Sequence, residues 1–145
     1  MFNEEACVPP LLAELEAFLG SFDRTVEVVL VDDGSSDTTS VLIEEAIPRM
    51  PALTLVHLRK NAGQTAAMAA GLDHATGEVI VFMDGDLQND VADVPRLLAK
   101  LDEGYDLVSG WRRYRKDRAV TRRLPSAFAS SSRDSMAART IAFSG

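Results

Sequence analysis

Two carboxylates, Asp84 and Asp86, are the residues of this sequence best placed to do chemistry. They follow the apolar run 79–83, and a short run of this kind predicts a strand buried on both faces in a parallel sheet. Open α/β sheets bind ligands at the carboxyl ends of their strands. Two hard oxygen donors there suit Mg²⁺ or Mn²⁺, especially if a substrate diphosphate completes the coordination. The alternative is that both acids only solvate a turn and cap the next helix.

The elements around this run alternate between helix and strand. The hydrophobic spacing predicts helices over residues 9–19, 38–47, 64–75 and 93–102, and strands over residues 27–34, 53–58, 79–83 and 105–110. Such alternation predicts an α/β fold, with a mainly parallel Rossmann-like sheet and helices on both faces. Three turns, at residues 32–37, 61–64 and 84–90, should then meet at the carboxyl edge of the sheet.

Length and composition restrict the class of protein. A chain of 145 residues is large enough for one domain with a core, and 46% hydrophobic and 26% charged residues are ordinary for a soluble globular protein. The single cysteine, Cys7, excludes an internal disulfide and fits a reducing compartment. Neither a membrane-spanning apolar run nor a signal peptide is visible. We therefore expect a cytoplasmic location.

The net charge of −7 hides a strong asymmetry along the chain. Residues 1–110 hold 6 basic and 20 acidic residues, whereas residues 111–145 hold 9 basic and 2 acidic residues. The basic segment 112–123 therefore indicates contact with an anion, whether a substrate phosphate, an anionic membrane or nucleic acid, and the alternative is a solvated basic tail. Residues 126–145 show no periodicity, and this pattern predicts an irregular or disordered tail.

Four segments in order also resemble a known family. They are Phe2-Asn3-Glu4-Glu5, Val31-Asp32-Asp33-Gly34-Ser35-Ser36-Asp37, Asn61-Ala62-Gly63-Gln64 and Met83-Asp84-Gly85-Asp86-Leu87-Gln88-Asn89-Asp90. Together they resemble the family 2 glycosyltransferases, which are inverting, nucleotide-sugar-dependent enzymes of the GT-A fold. The segments 108–112 and 122–126 look like the branch that acts on polyprenyl phosphates such as dolichyl and undecaprenyl phosphate. The resemblance covers residues 2–126, and it implies a partial GT-A domain over residues 1–125.

The resemblance implies a role for each matching residue. Asp33 would accept a hydrogen bond from a uracil or guanine base. Asp84 would contact the ribose and the metal, and Asp86 and Gln88 would bind Mg²⁺ or Mn²⁺. The implied catalytic residues are Asp84, Asp86 and Arg112. The implied substrate-binding residues are Asn3, Glu4, Asp33, Gly34, Asn61, Gly63, Gln64, Asp84, Arg112, Arg115 and Arg122.

The implied partners are a UDP- or GDP-linked sugar, a polyprenyl phosphate acceptor and a membrane surface contacted by residues 112–123, with no nucleic acid. Peripheral attachment at the inner face of the membrane is then an option beside the cytoplasm. A phosphate acceptor is already ionised near neutral pH and needs no general base, so His57 and His74 are expected to be structural or simply exposed.

The family continues on both sides of the resemblance. It places a strand before Phe2 and further segments after Ser126, so the resemblance implies a fragment, truncated at both ends, that lacks a central strand. Such a chain exposes strand edges, which favours self-association.

Other classes of protein remain as alternatives. A non-catalytic module could bind a nucleotide sugar or an anionic surface. A receiver-like phosphoacceptor domain would use Asp32, Asp33 and Asp84, but the lysine it needs is absent after the strand at 105–110. An EF-hand would need glycine where Asn89 stands, and a dinucleotide site would need a glycine-rich turn in place of the acidic Asp33.

Overall fold

The structure is a computed structural model that describes residues 1–111 and 139–144. In this part of the chain the helices are α1 (Val8–Ser21), α2 (Thr39–Glu44), α3 (Gln64–His74) and α4 (Val94–Asp102), with single 3-10 turns at Ile47–Arg49 and Val91–Asp93. The strands are β1 (Val28–Asp32), β2 (Leu53–His57), β3 (Val79–Phe82), β4 (Leu107–Trp111) and β5 (Arg139–Ser144). The predicted alternation of helix and strand is confirmed from α1 to β4. No helix within these described ranges has both the length and the apolar character needed to cross a bilayer.

All strand pairings in the described residues are parallel. β1 pairs with β2, with Val28 opposite Leu53 and Asp32 opposite His57. β5 lies between β3 and β4 and is parallel to both. The predicted parallel α/β architecture is confirmed, although its ladder hydrogen bonds divide the strands into two sheets.

The strand β5 was not predicted from the sequence. An irregular or disordered segment was expected over residues 126–145, and this does not hold for Arg139–Ser144. These residues form ladders with both β3 and β4, and Ile141 lies opposite Val81 in one ladder and Val108 in the other. Pairing on both edges stabilises this short strand.

The main core lies on one face of the sheets. Its buried apolar residues come chiefly from α1 and α4, and Val28, Leu30, Val79 and Val81 pack against it from β1 and β3. Val31 points to the opposite face, because side chains alternate along a strand. There its Cγ2 lies 3.3 Å from the position that a Cβ on Gly71 of α3 would take. Helices therefore lie on both faces, as predicted.

The strand β3 is less buried than expected. The apolar run predicts burial on both faces, but all four residues of Val79–Phe82 are only half-buried, so this prediction is wrong. Within the described residues, β3 pairs with β5 on one edge and forms no ladder with β1. Strand edges of this kind underlie the expected self-association, which stays a prediction.

Met1 lies along the edge of β1 that faces away from β2. Its nitrogen donates to the Val31 carbonyl at 2.7 Å, and its carbonyl accepts from the Asp33 N–H at 2.8 Å. These two bonds have the pattern of a parallel bridge. The Met1 side chain also covers Gly85, where an added Cβ would come within 2.6 Å of the Met1 Cγ. Met1 therefore connects the carboxyl ends of β1 and β3.

Glu27 connects the other ends of the same two strands. Its Oε1 accepts hydrogen bonds from the N–H groups of Thr76 at 2.5 Å and Gly77 at 2.7 Å, in the turn before β3. The bond from the Thr76 N–H is the main cause that holds the pKa of the Glu27 carboxyl below its ordinary value. The ionised carboxylate therefore stabilises the junction between β1 and β3.

Glu27→Gln tests this junction. The amide keeps the size of the side chain but removes the charge that strengthens the bonds, so we expect a loss of about 1 kcal/mol in the free energy of unfolding near pH 7. Because the folded pKa lies below the ordinary value of 4.5, the contribution is complete above that value and is lost as the pH falls through the folded pKa. Urea unfolding of both proteins, near pH 7 and at about pH 3, measures the difference.

Glu78, an exposed acid directly before β3, provides the control. Glu78→Gln removes the same charge but leaves the bonds from Thr76 and Gly77 to Glu27 in place, and it should change the stability little. An equal loss for Glu27→Gln at both pH values would contradict a contribution from the ionised carboxylate.

Candidate functional site

The Asp33 carboxylate joins the turns that follow β1 and β2. Its Oδ1 accepts from the Ala62 N–H at 2.8 Å and its Oδ2 from the Gly63 N–H at 2.9 Å, and the residue is only 5% exposed. Hydrogen bonds to an ionised acceptor are stronger than those between neutral groups. The structure thus brings together the first two of the three predicted turns.

Gly34 allows these two turns to approach each other closely. Its φ is +72°, and an added Cβ would lie 2.5 to 2.7 Å from backbone atoms of Lys60 and Asn61. Both the left-handed backbone and the lack of space favour glycine. Gly34, predicted to bind substrate, therefore has a packing role in the free protein.

Gln64 joins the second turn to the third. Its Nε2 donates to Asp84 Oδ1 at 3.0 Å, and both side chains are exposed. Gln64 is the first residue of α3, and Gly63 precedes it with a φ of +90°. The exposed Asn61 lies in the same turn. Asp84, which follows the strand β3, is thus linked to the same edge of the fold as Asp33.

The third turn has a backbone that most residues avoid. Leu87 has a φ of +62°, in the left-handed region, and Asp86 Oδ1 accepts from the Gln88 N–H at 3.1 Å. Such conformations in residues other than glycine are uncommon and occur often at functional sites. Asp84 and Gln88 are exposed and Asp86 is half-buried. The turn therefore holds one oxygen of Asp86 and presents all three residues at the surface.

Asn3 and Glu4 hold the first turn from the side of the N-terminal segment. Asn3 donates its N–H to Ser35 Oγ and accepts from the Ser36 N–H at its Oδ1, both at 2.9 Å. The Glu4 N–H donates to Thr39 Oγ1 at 2.9 Å. These two predicted substrate-binding residues therefore support the turn that carries Asp33.

The region in front of α1 is electrostatically negative. The pKa of the Cys7 thiol is raised, first by a hydrogen bond with the Glu4 side chain and then by burial and by the negative charges of Glu4 and Asp86. Negative charges favour the neutral thiol, so Cys7 is protonated at neutral pH.

The residues at the third turn fit a divalent metal only in part. Within the described part of the chain, no group of three or more His, Cys, Asp and Glu side chains is arranged to hold an ion. Asp84, Asp86 and Gln88 do offer hard oxygen atoms, the type of ligand that Mg²⁺ and Mn²⁺ prefer. This set therefore fits such an ion when oxygens of a bound ligand, such as a diphosphate, complete the coordination.

The pair of Asp32 and His57 is a contact that sequence reasoning missed. The Asp32 side chain is completely buried, and His57 Nδ1 lies 2.7 Å from Asp32 Oδ2. His57 was expected to be structural or exposed, and its side chain is 48% exposed. The signal that could have found the pair is the register of β1 and β2, in which the two residues are opposite each other.

The predicted phosphate-binding residues Arg112, Arg115 and Arg122 lie outside the described residues. The described part of the candidate site is therefore the part built from the ends of β1, β2 and β3.

Comparison with known proteins gives one consistent result. The family model described as glycosyl transferase family 2 matches residues 1–143, further along the chain than the 2–126 expected. The dodecaprenyl-phosphate galacturonate synthase of Rhizobium johnstonii is 46% identical over 128 residues, which cover 87% of this chain and 38% of that protein.

Two similar relatives are both undecaprenyl-phosphate 4-deoxy-4-formamido-L-arabinose transferases. That of Klebsiella pneumoniae is 41% identical over 81% of this chain and 36% of its own length. That of Shewanella sediminis is 42% identical over 87% of this chain and 38% of its own length. The chain thus spans less than two-fifths of the length of these curated relatives.

The family match extends over nearly the whole chain, and it favours neither the receiver-like, the EF-hand nor the dinucleotide-binding alternative. The motifs that carry the resemblance lie on the turns that the structure brings together. By both its sequence match and its parallel α/β fold, this chain belongs to glycosyl transferase family 2.

Proposed function

We propose that this chain forms the donor-binding half of an inverting glycosyltransferase, which moves a sugar from a UDP- or GDP-linked donor to a polyprenyl phosphate. One observation carries the proposal: Asp33 and Gln64 link the three turns that hold the family motifs into one site at the carboxyl edge. That edge is where open α/β folds bind nucleotides. The relatives, which are named for dodecaprenyl and undecaprenyl phosphate, support this acceptor class.

In this proposal the first two turns receive the nucleoside. Asp33 holds the turns together, and a base N–H would use a remaining lone pair on one of its oxygens. Asp84 faces the ribose and the diphosphate, with its carboxylate oriented by Gln64. Asp84, Asp86 and Gln88 would hold Mg²⁺ or Mn²⁺, and a bound ion of this kind neutralises charge on a departing diphosphate.

The attack by the acceptor phosphate does not require a general base from the protein. A phosphate oxygen of the acceptor forms a bond to the anomeric carbon while the bond from that carbon to the nucleoside diphosphate breaks, and the diphosphate leaves with the electron pair. The phosphate nucleophile is already ionised, so no proton has to be removed. The residues of this chain therefore act by binding and by orientation.

We propose that Arg112, Arg115 and Arg122 hold the donor diphosphate or the acceptor phosphate, because arginine binds phosphate through paired N–H groups. The basic segment 112–123 would also contact an anionic membrane from the cytoplasmic side. This location brings the site to a lipid-linked acceptor.

A non-catalytic donor-binding module is the second candidate. It would need only the donor site formed by the turns that follow β1, β2 and β3. Incubation with labelled UDP- or GDP-sugars and undecaprenyl phosphate separates the two functions. A labelled lipid product supports the transferase, whereas binding without any product supports the module.

The metal role gives a direct prediction. We expect UDP or GDP to bind in the presence of Mn²⁺ and to bind at least about tenfold more weakly in EDTA, a change of ~1.4 kcal/mol. Asp86→Asn should have a similar effect, because an amide cannot supply the same negative charge to the ion. Isothermal titration calorimetry measures both affinities.

Asp23→Asn is the matched control, since it removes an exposed carboxylate in the segment after α1. It should leave nucleotide affinity unchanged. If wild-type affinity were the same with Mn²⁺ and with EDTA, the metal role would be wrong even where the nucleotide binds.

The basic segment gives a second prediction. The double variant Arg112→Ala/Arg115→Ala should bind anionic vesicles more weakly by about 1 kcal/mol for each arginine removed, and it should also weaken binding of the diphosphate. Vesicle sedimentation at two salt concentrations measures the effect, which should shrink at high salt.

Arg49→Ala/Arg96→Ala removes the same charge from two exposed positions outside this segment and is the control. Equal binding by the two double variants would show that net charge alone, and not segment 112–123, determines membrane contact.

A further inference from the structure

Asp32 is a buried acid for which the proposed chemistry has no use. Its side chain is completely buried at the end of β1. Its Oδ1 accepts from the Ser35 N–H at 3.1 Å and also from the Ser35 hydroxyl. Within the described residues, no donor forms a hydrogen bond with its Oδ2. A buried carboxylate oxygen is costly unless a nearby donor or positive charge compensates it.

His57 is the group that can supply this compensation. Its Nδ1 lies 2.7 Å from Asp32 Oδ2, although the contact does not have the full geometry of a hydrogen bond. A proton on Nδ1 makes the contact attractive. The register of β1 and β2 holds the two residues opposite each other. The His57–Asp32 contact is thus built into the pairing of the strands.

The contact continues into the first turn through Ser35. The Ser35 hydroxyl donates to Asp32 and accepts from the Asn3 N–H at 2.9 Å. Asn3 Oδ1 in turn accepts from the Ser36 N–H at 2.9 Å. One series of contacts therefore runs from His57 at the end of β2 to the N-terminal segment.

The same turn carries the residues that close the site. Asp33 and Gly34 lie between Asp32 and Ser35, and both contact the turn after β2. If Asp32 were free to rotate, the backbone at Asp33 would lose one of its supports. The orientation of Asp32 therefore affects how the first two turns meet.

We propose that His57 is a positioning residue: by holding the Asp32 carboxylate it fixes the 32–36 turn in the conformation that receives the donor nucleotide. The effect on the nucleotide rests on the proposed function, whereas the effect on the turn does not. His57 acts through Asp32 and does not contact the substrate.

Two amide variants of His57 test the proposal. His57→Asn places an N–H₂ donor close to the position of Nδ1, whereas His57→Gln moves the same donor one bond further out. His74→Gln is the control, because His74 is exposed and its Nδ1 contacts Ala70 of its own helix. Circular dichroism establishes that each variant is folded.

The first measurement needs no ligand. Amide hydrogen exchange at Asn3, Ser35 and Ser36, measured by NMR, should accelerate at least about tenfold in His57→Gln, because the supports of these amides loosen. His57→Asn should exchange close to the wild-type rate, and His74→Gln should not change. The second measurement is the affinity for UDP and GDP with Mn²⁺, which should fall in His57→Gln and recover in His57→Asn.

Unchanged exchange in His57→Gln would overturn the proposal, as would equal effects of the asparagine and glutamine variants. If His57→Gln does not fold, His57→Ala removes the contact with Asp32 without introducing a longer side chain. Exchange at Ser35 and Ser36 must then accelerate, and unchanged rates would also overturn the proposal. If the wild-type chain binds neither nucleotide while the exchange results hold, the proposed function fails and the positioning role of His57 stands.

Discussion

The two hydrogen bonds from the backbone of Ala62 and Gly63 to the Asp33 carboxylate are the interaction on which the candidate site depends. A parallel sheet brings the ends of its strands to one edge, but it does not determine how the turns beyond those ends meet. Here one buried carboxylate joins two turns, and Gly34 removes the side chain that would keep them apart. In the free protein, the Asp33 carboxylate therefore holds these two turns together.

The link to the third turn is weaker. One exposed hydrogen bond, from Gln64 to Asp84, connects it to the second turn, and the Met1 side chain packs on Gly85 beside it. β1 and β3 form no ladder with each other in the described residues, and Glu27 joins them at the opposite ends. A ligand that contacts both Asp33 and Asp84 would add to these few contacts and would stabilise their arrangement.

The acids predicted to bind the ligand and the residues that support the site come from different parts of the fold. The acids at residues 84 and 86 stand at the surface, on a turn that includes the left-handed Leu87. Asp32 and Ser35 bind each other within the first turn, and Asn3 binds Ser35 from the N-terminal segment. Such a division is expected of a binding site, because groups that contact a ligand must stay accessible while their supports are held by hydrogen bonds.

The sequence by itself determined the α/β alternation, the acids after the strand β3 and the family, because each of these is recorded in neighbouring residues or in short motifs. Only the tertiary structure decided that Asp32 meets His57, that Asp33 is buried against residues 62–63, and that β5 lies between β3 and β4. It also showed that β3 is half-buried although its sequence is apolar throughout. These features depend on strand register and on which strands are neighbours, and both are set by contacts between residues far apart in the chain.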